Sequence, residues 1–322
     1  MYIDQNAYRN PSYPLEPLFR SVYTENPGFD PSTLDLVTDR SNLRKLVWTI
    51  CGNGIVEDFR IDIRLVGQTL LFTRYEEHTH ERIGSNEFRG YGHSFERKFT
   101  TYGEGMKEST GHHRVIKYTM GSLQLLLRFE VDGYLSDVST DYDPTTSQSN
   151  YSHNAVDDVQ SLTSRLKNID LDSTAQQCST DQKVGLRVVH GGYKVPHSSL
   201  LELKTRSQRR PIQPSDVIYQ LWFAQVPHLI AGYHNHGKFV RIEQKNFEEN
   251  RAFQRFERAR GSDLRKFVQV VEMIRTAMKG GKIDKAVLLF EDGSLDLYER
   301  MGTWDALPKD LISKWNDISS DS

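Results

Sequence analysis

The sequence has few cysteines and no long apolar run, and these absences exclude several classes of protein. Its two cysteines, Cys51 and Cys178, lie far apart and lack the spacing of a zinc site or a disulfide scaffold. No apolar stretch approaches the roughly 20 residues that a membrane-spanning helix requires. The first residues are polar, without the apolar core of a signal peptide. We therefore expect an intracellular protein of a reducing compartment, nuclear rather than cytoplasmic, without membrane contact.

The chain also lacks an excess of charge of one sign. Lys and Arg together number 41, Asp and Glu number 43, and the formal net charge is -2. Such a protein has no overall positive field to hold nucleic acid non-specifically, so nucleic acid would have to bind in a local cleft. Hydrophobic residues make up 37% of the 322 residues, which is enough for one large domain or two small ones.

Composition varies along the chain and suggests a domain organisation. Residues 1–35 are rich in Pro, Tyr and Asn and predict an extended arm. Residues 136–182 are dominated by Ser, Thr, Asp, Asn and Gln, and a segment of this kind cannot bury enough apolar surface to order itself. We expect it to be a flexible insertion in a single domain that covers residues 36–310, followed by a tail at 311–322.

Alternation of apolar and polar residues predicts strands, with hairpin turns at Gly67-Gln68, Asn235-His236-Gly237 and Asp292-Gly293. The predicted strand segments are residues 59–72, 122–135, 199–206, 229–233, 239–242, 286–290 and 295–298. Helical spacing predicts a helix over 215–224 capped by Ser215, and another over 262–278 capped by Ser262. The expected fold class is α+β, with a mixed, largely antiparallel central sheet flanked by helices.

Two of these strands carry charge on one face. Successive side chains of a strand point to opposite faces, so Arg128, Glu130 and Asp132 share a face opposite an apolar one. In the same way, Glu202 and Lys204 share a face. Each strand is therefore predicted to present a charged side within a few residues.

Paired carboxylates and a lysine at this spacing can support metal-assisted hydrolysis. Two carboxylates on one face repel each other unless a cation or a proton neutralises them, and hard oxygen ligands suit Mg²⁺ or Mn²⁺. A nearby lysine can orient a water or a phosphate oxygen. The alternative is that each motif is the solvated face of an amphipathic strand, where a Glu and a Lys serve only for cross-strand pairing.

Five short motifs follow one another along the chain, at residues 36–46 (LVTDRSNLRKL), 92–96 (GHSFE), 130–132 (EVD), 202–204 (ELK) and 220–232 (QLWFAQVPHLIAG). In this order they give the chain a resemblance to the DXO family of RNA 5′-end decapping nucleases, whose core is of the PD-(D/E)XK nuclease type. One departure is Phe129, which stands where the family commonly has a small residue.

The resemblance implies roles for particular residues of these motifs. The implied substrate contacts, to phosphate or to the attacking water, are Arg40, Glu130, Lys204 and Gln220. The implied metal ligands are Glu96, Glu130, Asp132, Glu202 and the carbonyl of Leu203. The implied catalytic set is Glu96, Glu130, Asp132, Glu202, Lys204 and Gln220.

The function implied by the resemblance is metal-dependent hydrolysis at RNA 5′ ends, with Mg²⁺ or Mn²⁺ as cofactor. The expected substrates are incompletely capped, triphosphate or NAD ends, and 5′–3′ exoribonuclease activity could accompany their removal. One alternative is a weakly active or non-catalytic partner that binds and stabilises a larger 5′–3′ exoribonuclease. Another is a nuclease that acts on DNA with the same core.

Overall fold

The computed structural model describes residues 8–52, 56–79, 90–103, 105–136 and 186–315. Its helices are α1 (Glu16–Glu25), α2 (Arg40–Cys51), α3 (Gly92–Phe99), α4 (Pro214–Ala224), α5 (Ala252–Gly280) and α6 (Lys309–Ile312). Its strands are β1 (Leu36–Asp39), β2 (Phe59–Val66), β3 (Thr69–Tyr75), β4 (His113–Met120), β5 (Leu123–Glu130), β6 (Gly133–Tyr134), β7 (Leu200–Ser207), β8 (His228–Asn235), β9 (Lys238–Asn246), β10 (Lys285–Glu291) and β11 (Ser294–Glu299). The predicted insertion falls almost entirely outside these residues.

A seven-stranded sheet has the order β11-β10-β2-β3-β1-β5-β4. Strand β1 runs parallel to both of its neighbours, and the remaining pairs are antiparallel. The turn from β2 to β3 contains Gly67 at a φ of 59°, and the turn from β10 to β11 contains Gly293 at 80°. Glycine adopts these positive values at little cost, so both predicted turns are confirmed. The predicted α+β class with a mixed, largely antiparallel sheet is confirmed as well.

A second sheet of four strands has the order β6-β7-β8-β9. Strands β7 and β8 are parallel, and helix α4 lies between them in the chain. Parallel neighbours need such a crossover because a tight turn cannot join them. Strands β8 and β9 form the predicted hairpin, which turns through His236 and Gly237 at positive φ.

The predicted strand over residues 122–135 is divided between the two sheets. Strand β5 ends at Glu130, and the chain then enters the second sheet as β6. Asp132 therefore lies in the crossing segment rather than on a face of β5, which corrects the prediction that it continues the face of Arg128 and Glu130. Glu130 and Asp132 nevertheless line the same cleft.

Apolar side chains of α2, α4 and α5 form the main core with the larger sheet. Helix α5 begins at Ala252 and not at Ser262, which lies inside it. Residues 252–261 carry many charges that obscure their apolar stripe, but Phe253 and Phe256 are buried there. Helix α4 begins at Pro214 with Gln213 and Asp216 forming a capping box, so Ser215 is not its cap.

The predicted extended arm contains a helix. Leu15 directly precedes α1 and Phe19 lies within it. Both are buried in a smaller core with Leu307, Leu311 and Trp315, which lie far away in the chain. The rings of Phe19 and Trp315 lie 5.2 Å apart. The extended-arm prediction is wrong for residues 16–25, and the predicted tail begins with buried side chains, because these two distant segments order each other. Among the described residues, no helix is long and apolar enough to cross a membrane.

Candidate active site

The carboxylate of Glu202 forms the centre of the site and is almost fully buried, with 2% of the residue exposed. Arg40, the first residue of α2, places its guanidinium 3.1 Å from Glu202 Oε2. The Lys204 ammonium lies 2.6 Å from Glu202 Oε1, and Gln220 of α4 donates its side-chain N–H to the same oxygen. Three predicted site residues, from α2, β7 and α4, therefore contact the carboxylate of a fourth predicted site residue, Glu202.

Asp132 lies beside Glu202 and is joined to β7 through the backbone. Its Oδ2 accepts a 2.8 Å hydrogen bond from the N–H of Leu203. Burial raises the pKa of Asp132 well above its usual range, and the Glu202 carboxylate raises it further. Burial also opposes ionisation of Glu202, but Arg40 and Lys204 outweigh it and lower the pKa of Glu202. The two carboxyl groups also hydrogen bond to each other, which raises the pKa of Asp132 further and contributes to the lowered pKa of Glu202.

Glu130 closes β5 at the edge of the same site. Arg40 reaches its backbone carbonyl at 3.4 Å and also lies over the ring of Phe129, 5.6 Å from the centroid. A small residue at position 129 would leave that face of the guanidinium uncovered. The pKa of Glu130 is raised by burial and by the carboxylates of Glu96 and Glu202. Glu130 is thus electrostatically coupled to Glu96 and Glu202, whereas Asp132 is coupled to Glu202.

Glu96 reaches the site from α3 with 45% of its side chain exposed. The helix is positioned by Phe95, which is fully buried against β8. A Cβ built on Gly232 would lie only 2.7 Å from Phe95 Cζ, closer than real contacts of this kind. Glycine at position 232 therefore allows α3 to approach the second sheet and brings Glu96 toward the other carboxylates.

A cleft with a volume of about 370 Å³ opens beside the carboxylates. Glu96, Glu130, Asp132 and Leu203 all line it. Aromatic side chains line it too, including Tyr102, Tyr134 and Tyr193. The cleft is large enough for part of an organic substrate, and the acidic residues border it.

The donors around this cleft suit a hard divalent cation. They are carboxylate and carbonyl oxygens, the ligands that Mg²⁺ and Mn²⁺ prefer. Burial, together with the charge of neighbouring carboxylates, raises the pKa of Asp132 and of Glu130, and a bound cation would oppose both effects. In the side-chain positions of the described residues, no three His, Cys, Asp or Glu groups surround one point closely enough to hold a metal. Glu202 is instead engaged by Arg40, Lys204 and Gln220.

An internal ion pair supports this site and was not predicted. Arg128 is 3% exposed, and its Nε and Nη2 lie 2.6 and 2.9 Å from the two carboxylate oxygens of Asp39. It also donates to the Pro14 carbonyl at 3.1 Å. Asp39 directly precedes Arg40, so the pair fixes the end of β1 from which Arg40 extends. The only signal in the sequence was an arginine inside the apolar run LLLRFE.

His113 adds a neutral group to the site. It faces Glu130 across the β4–β5 ladder. Burial, followed by the charge of Arg128, lowers its pKa to about 4. The imidazole is therefore neutral at physiological pH.

Solved structures share this fold at low sequence identity. Rai1 of Scheffersomyces stipitis in complex with (3′-NADP)+ and calcium ion gives a TM-score of 0.54 at 13% identity, covering 98% of this chain and 81% of that one. Rai1 of S. pombe in complex with 3′-FADP gives 0.51 at 13%, covering 88% and 77%. Dxo1 of K. lactis in complex with manganese gives 0.50 at 9%, covering 90% and 72%.

The fold is that of the Rai1 and Dxo1 structures, which belong to the DXO family of decapping nucleases. By sequence, the chain belongs to the family described as "Domain of unknown function (DUF8563)", whose model matches residues 1–315. No curated protein matches the chain.

Proposed function

We propose that this protein is a divalent-metal-dependent hydrolase that acts on the 5′ ends of RNA. The observation that carries the proposal is the buried Glu202 carboxylate, which Arg40, Lys204 and Gln220 contact from three elements beside a cleft lined by Glu96, Glu130 and Asp132. The shared fold is consistent with it, since the solved structures are decapping nucleases crystallised with nucleotide ligands, calcium or manganese.

The proposed roles follow from the chemistry of each side chain. Glu96, Glu130, Asp132, Glu202 and the Leu203 carbonyl would hold a divalent cation. Such a cation, when bound, lowers the pKa of a coordinated water and neutralises charge on a phosphoryl oxygen. Lys204, whose ammonium is one-third exposed, would contact the scissile phosphate. Gln220 would orient the attacking water through its amide, and Arg40 would hold a 5′-end phosphate in two-pronged contact.

The contacts that Glu202 now makes are compatible with these roles. Arg40 and Lys204 both contact the Glu202 carboxylate, which would also bind the divalent metal ion. When the metal takes over this carboxylate, the two cationic side chains would become available to bind a phosphate. Both side chains retain some exposure, 11% for Arg40 and 34% for Lys204, whereas the Glu202 side chain has 3%. The Glu202 carboxylate would therefore stay in place while the more exposed side chains of Arg40 and Lys204 move toward the substrate.

A purely binding role, as a partner of a larger exoribonuclease, is less well supported. Burial and neighbouring carboxylates raise the pKa of Glu130 and of Asp132, and carboxylates of this kind reduce the stability of the folded protein at neutral pH. A protein that only binds a partner has no use for carboxylates that lower its stability, whereas a metal-dependent hydrolase needs them to hold the metal.

The test is hydrolysis by the full chain of RNAs that differ only in the 5′ end: triphosphate, unmethylated cap, NAD, monophosphate and hydroxyl. Each is incubated with Mg²⁺, with Mn²⁺ or with EDTA, and products are resolved by length to separate end removal from 5′–3′ digestion. Wild type should act only with metal, and Glu202→Gln should lose the activity. Glu291→Gln, an exposed acid outside the site, is the matched control.

A single-stranded DNA of the same sequence tests the DNA-directed alternative. The proposal fails if wild type and Glu202→Gln are equally inert on every RNA with either metal. Cleavage of the DNA but of none of the RNAs would support hydrolase activity and would reject RNA 5′ ends as the substrate.

A further inference from the structure

A second arginine lies on the same face of α2 as Arg40. Arg44 follows Arg40 by four residues, which places the two side chains one above the other on a helix. Its guanidinium lies over the indole of Trp48, 5.0 Å from the ring centroid. Arg44 is thus held in place at the border of the site, between Arg40 and an aromatic cluster that includes Tyr219.

Arg44 is half-buried and carries a charge that no acidic side chain neutralises directly. Within the described part of the chain, it forms no hydrogen bond and no ion pair, whereas the adjacent Lys45 pairs with Glu76 at 3.5 Å. Burial lowers the pKa of Arg44, the charge of Arg40 lowers it further, and Glu202 partly compensates. Placing an unpaired cation next to another cation is unfavourable unless an anion binds there.

We propose that Arg44 is a second phosphate-binding residue, which contacts the internucleotide phosphate next to the one held by Arg40. This inference rests on the proposed function. The i, i+4 spacing gives about 5–6 Å between the Cβ atoms of the two residues, close to the spacing of successive phosphates in a single strand. Stacking on Trp48 presents the guanidinium edge, with its N–H groups, to an anion. Arg44 would thereby set a minimum chain length for tight binding.

The alternative is a purely structural role, in which Arg44 only covers the edge of the Trp48–Tyr219 aromatic cluster with its aliphatic stem. Arg44→Met separates the two roles, since it keeps an apolar stem over Trp48 and removes the charge. Arg44→Lys keeps the charge. Arg265→Met, at an exposed arginine of α5, is the matched control for loss of one positive charge.

The experiment measures binding of 5′-phosphorylated hexauridine and of uridine 5′-monophosphate to the full chain. Ca²⁺ replaces Mg²⁺ or Mn²⁺, and the RNA is checked for integrity afterwards. Arg44→Met should weaken hexauridine binding about tenfold, the effect of losing one charge-assisted contact. It should leave the monophosphate affinity unchanged. The slope of log affinity against log salt should fall by about 0.7, the value for one phosphate contact in a single strand.

Several results would overturn the inference. One is an equal salt slope for Arg44→Met and wild type, and another is an equal loss in Arg265→Met. An equal loss of hexauridine and monophosphate affinity would assign Arg44 to the terminal phosphate instead. If wild type binds neither hexauridine nor the monophosphate, the proposed function fails together with this inference. If wild type and Arg44→Met bind both ligands equally well, only the proposed role of Arg44 is rejected.

Discussion

The backbone N–H of Leu203 donates a hydrogen bond to the carboxylate of Asp132, and this bond joins the two sheets at the site. Asp132 follows the last strand residue of β5, and Leu203 lies in β7. The bond orients Asp132 toward Glu202, the neighbour of Leu203 in the chain. Because Asp132 and Glu202 are both acidic and this bond fixes their relative positions, the geometry of the carboxylate set depends on how the two sheets are held together.

We predict that Mg²⁺ or Mn²⁺ stabilises the metal-free protein. A cation bound only by the folded state at about one hundred times its Kd adds about 2.7 kcal/mol to the free energy of unfolding. Thermal melts with and without metal measure the gain, and Asp132→Asn should abolish it while Glu291→Gln retains it. No gain in protein shown by elemental analysis to be metal-free would count against the site.

The pH dependence of stability should reveal the raised pKa of Asp132. In EDTA, the folded state retains a proton that the unfolded chain releases near pH 4, so stability falls as pH rises from about 4 to the folded pKa. Asp132→Asn mimics the protonated side chain and should not show this loss. Denaturant midpoints of both proteins across that range measure the difference, and identical profiles would mean that Asp132 ionises normally.

Gly232→Ala should displace α3 and with it Glu96. The added Cβ meets the Phe95 ring, and overpacking of this kind costs about 1–3 kcal/mol. We expect a lower melting temperature together with weaker metal stabilisation. Gly280→Ala, at a position with no atom near the new Cβ, is the control. Addition of Phe95→Leu should restore part of both losses, and normal metal stabilisation of Gly232→Ala would contradict the proposed docking.

Arg128→Met should destabilise the protein strongly. It leaves the Asp39 carboxylate without its bidentate partner, and breaking a buried pair on one side costs about 3–5 kcal/mol. The double variant Asp39→Asn with Arg128→Met removes both charges and should recover much of the loss. Chemical denaturation of the two single variants and the double variant gives the coupling energy. Additive losses would show that the pair contributes no coupling.

Local patterns predicted most of the strands and their turns, but they missed β1 and β4 and misplaced several boundaries. The pairs at Gly67 and Gly293 specify tight turns because glycine tolerates positive φ, so both hairpins were readable. The start of α5 was not, because the charges around Phe253 and Phe256 conceal a stripe that packing alone reveals. Helix α1 was missed for a similar reason, since its buried face contacts residues near position 310.

The sequence by itself determined that Glu202 and Lys204 share one face of a strand, because successive side chains of a strand alternate between its faces. Only the tertiary structure decided how those side chains meet. Arg40 and Glu202 are 162 residues apart in the chain, and their contact depends on how α2 and β7 are brought together. The same holds for the buried Arg128, whose partner Asp39 comes from a neighbouring parallel strand. Strand periodicity depends on local backbone geometry, whereas burial and charge pairing depend on contacts between distant segments.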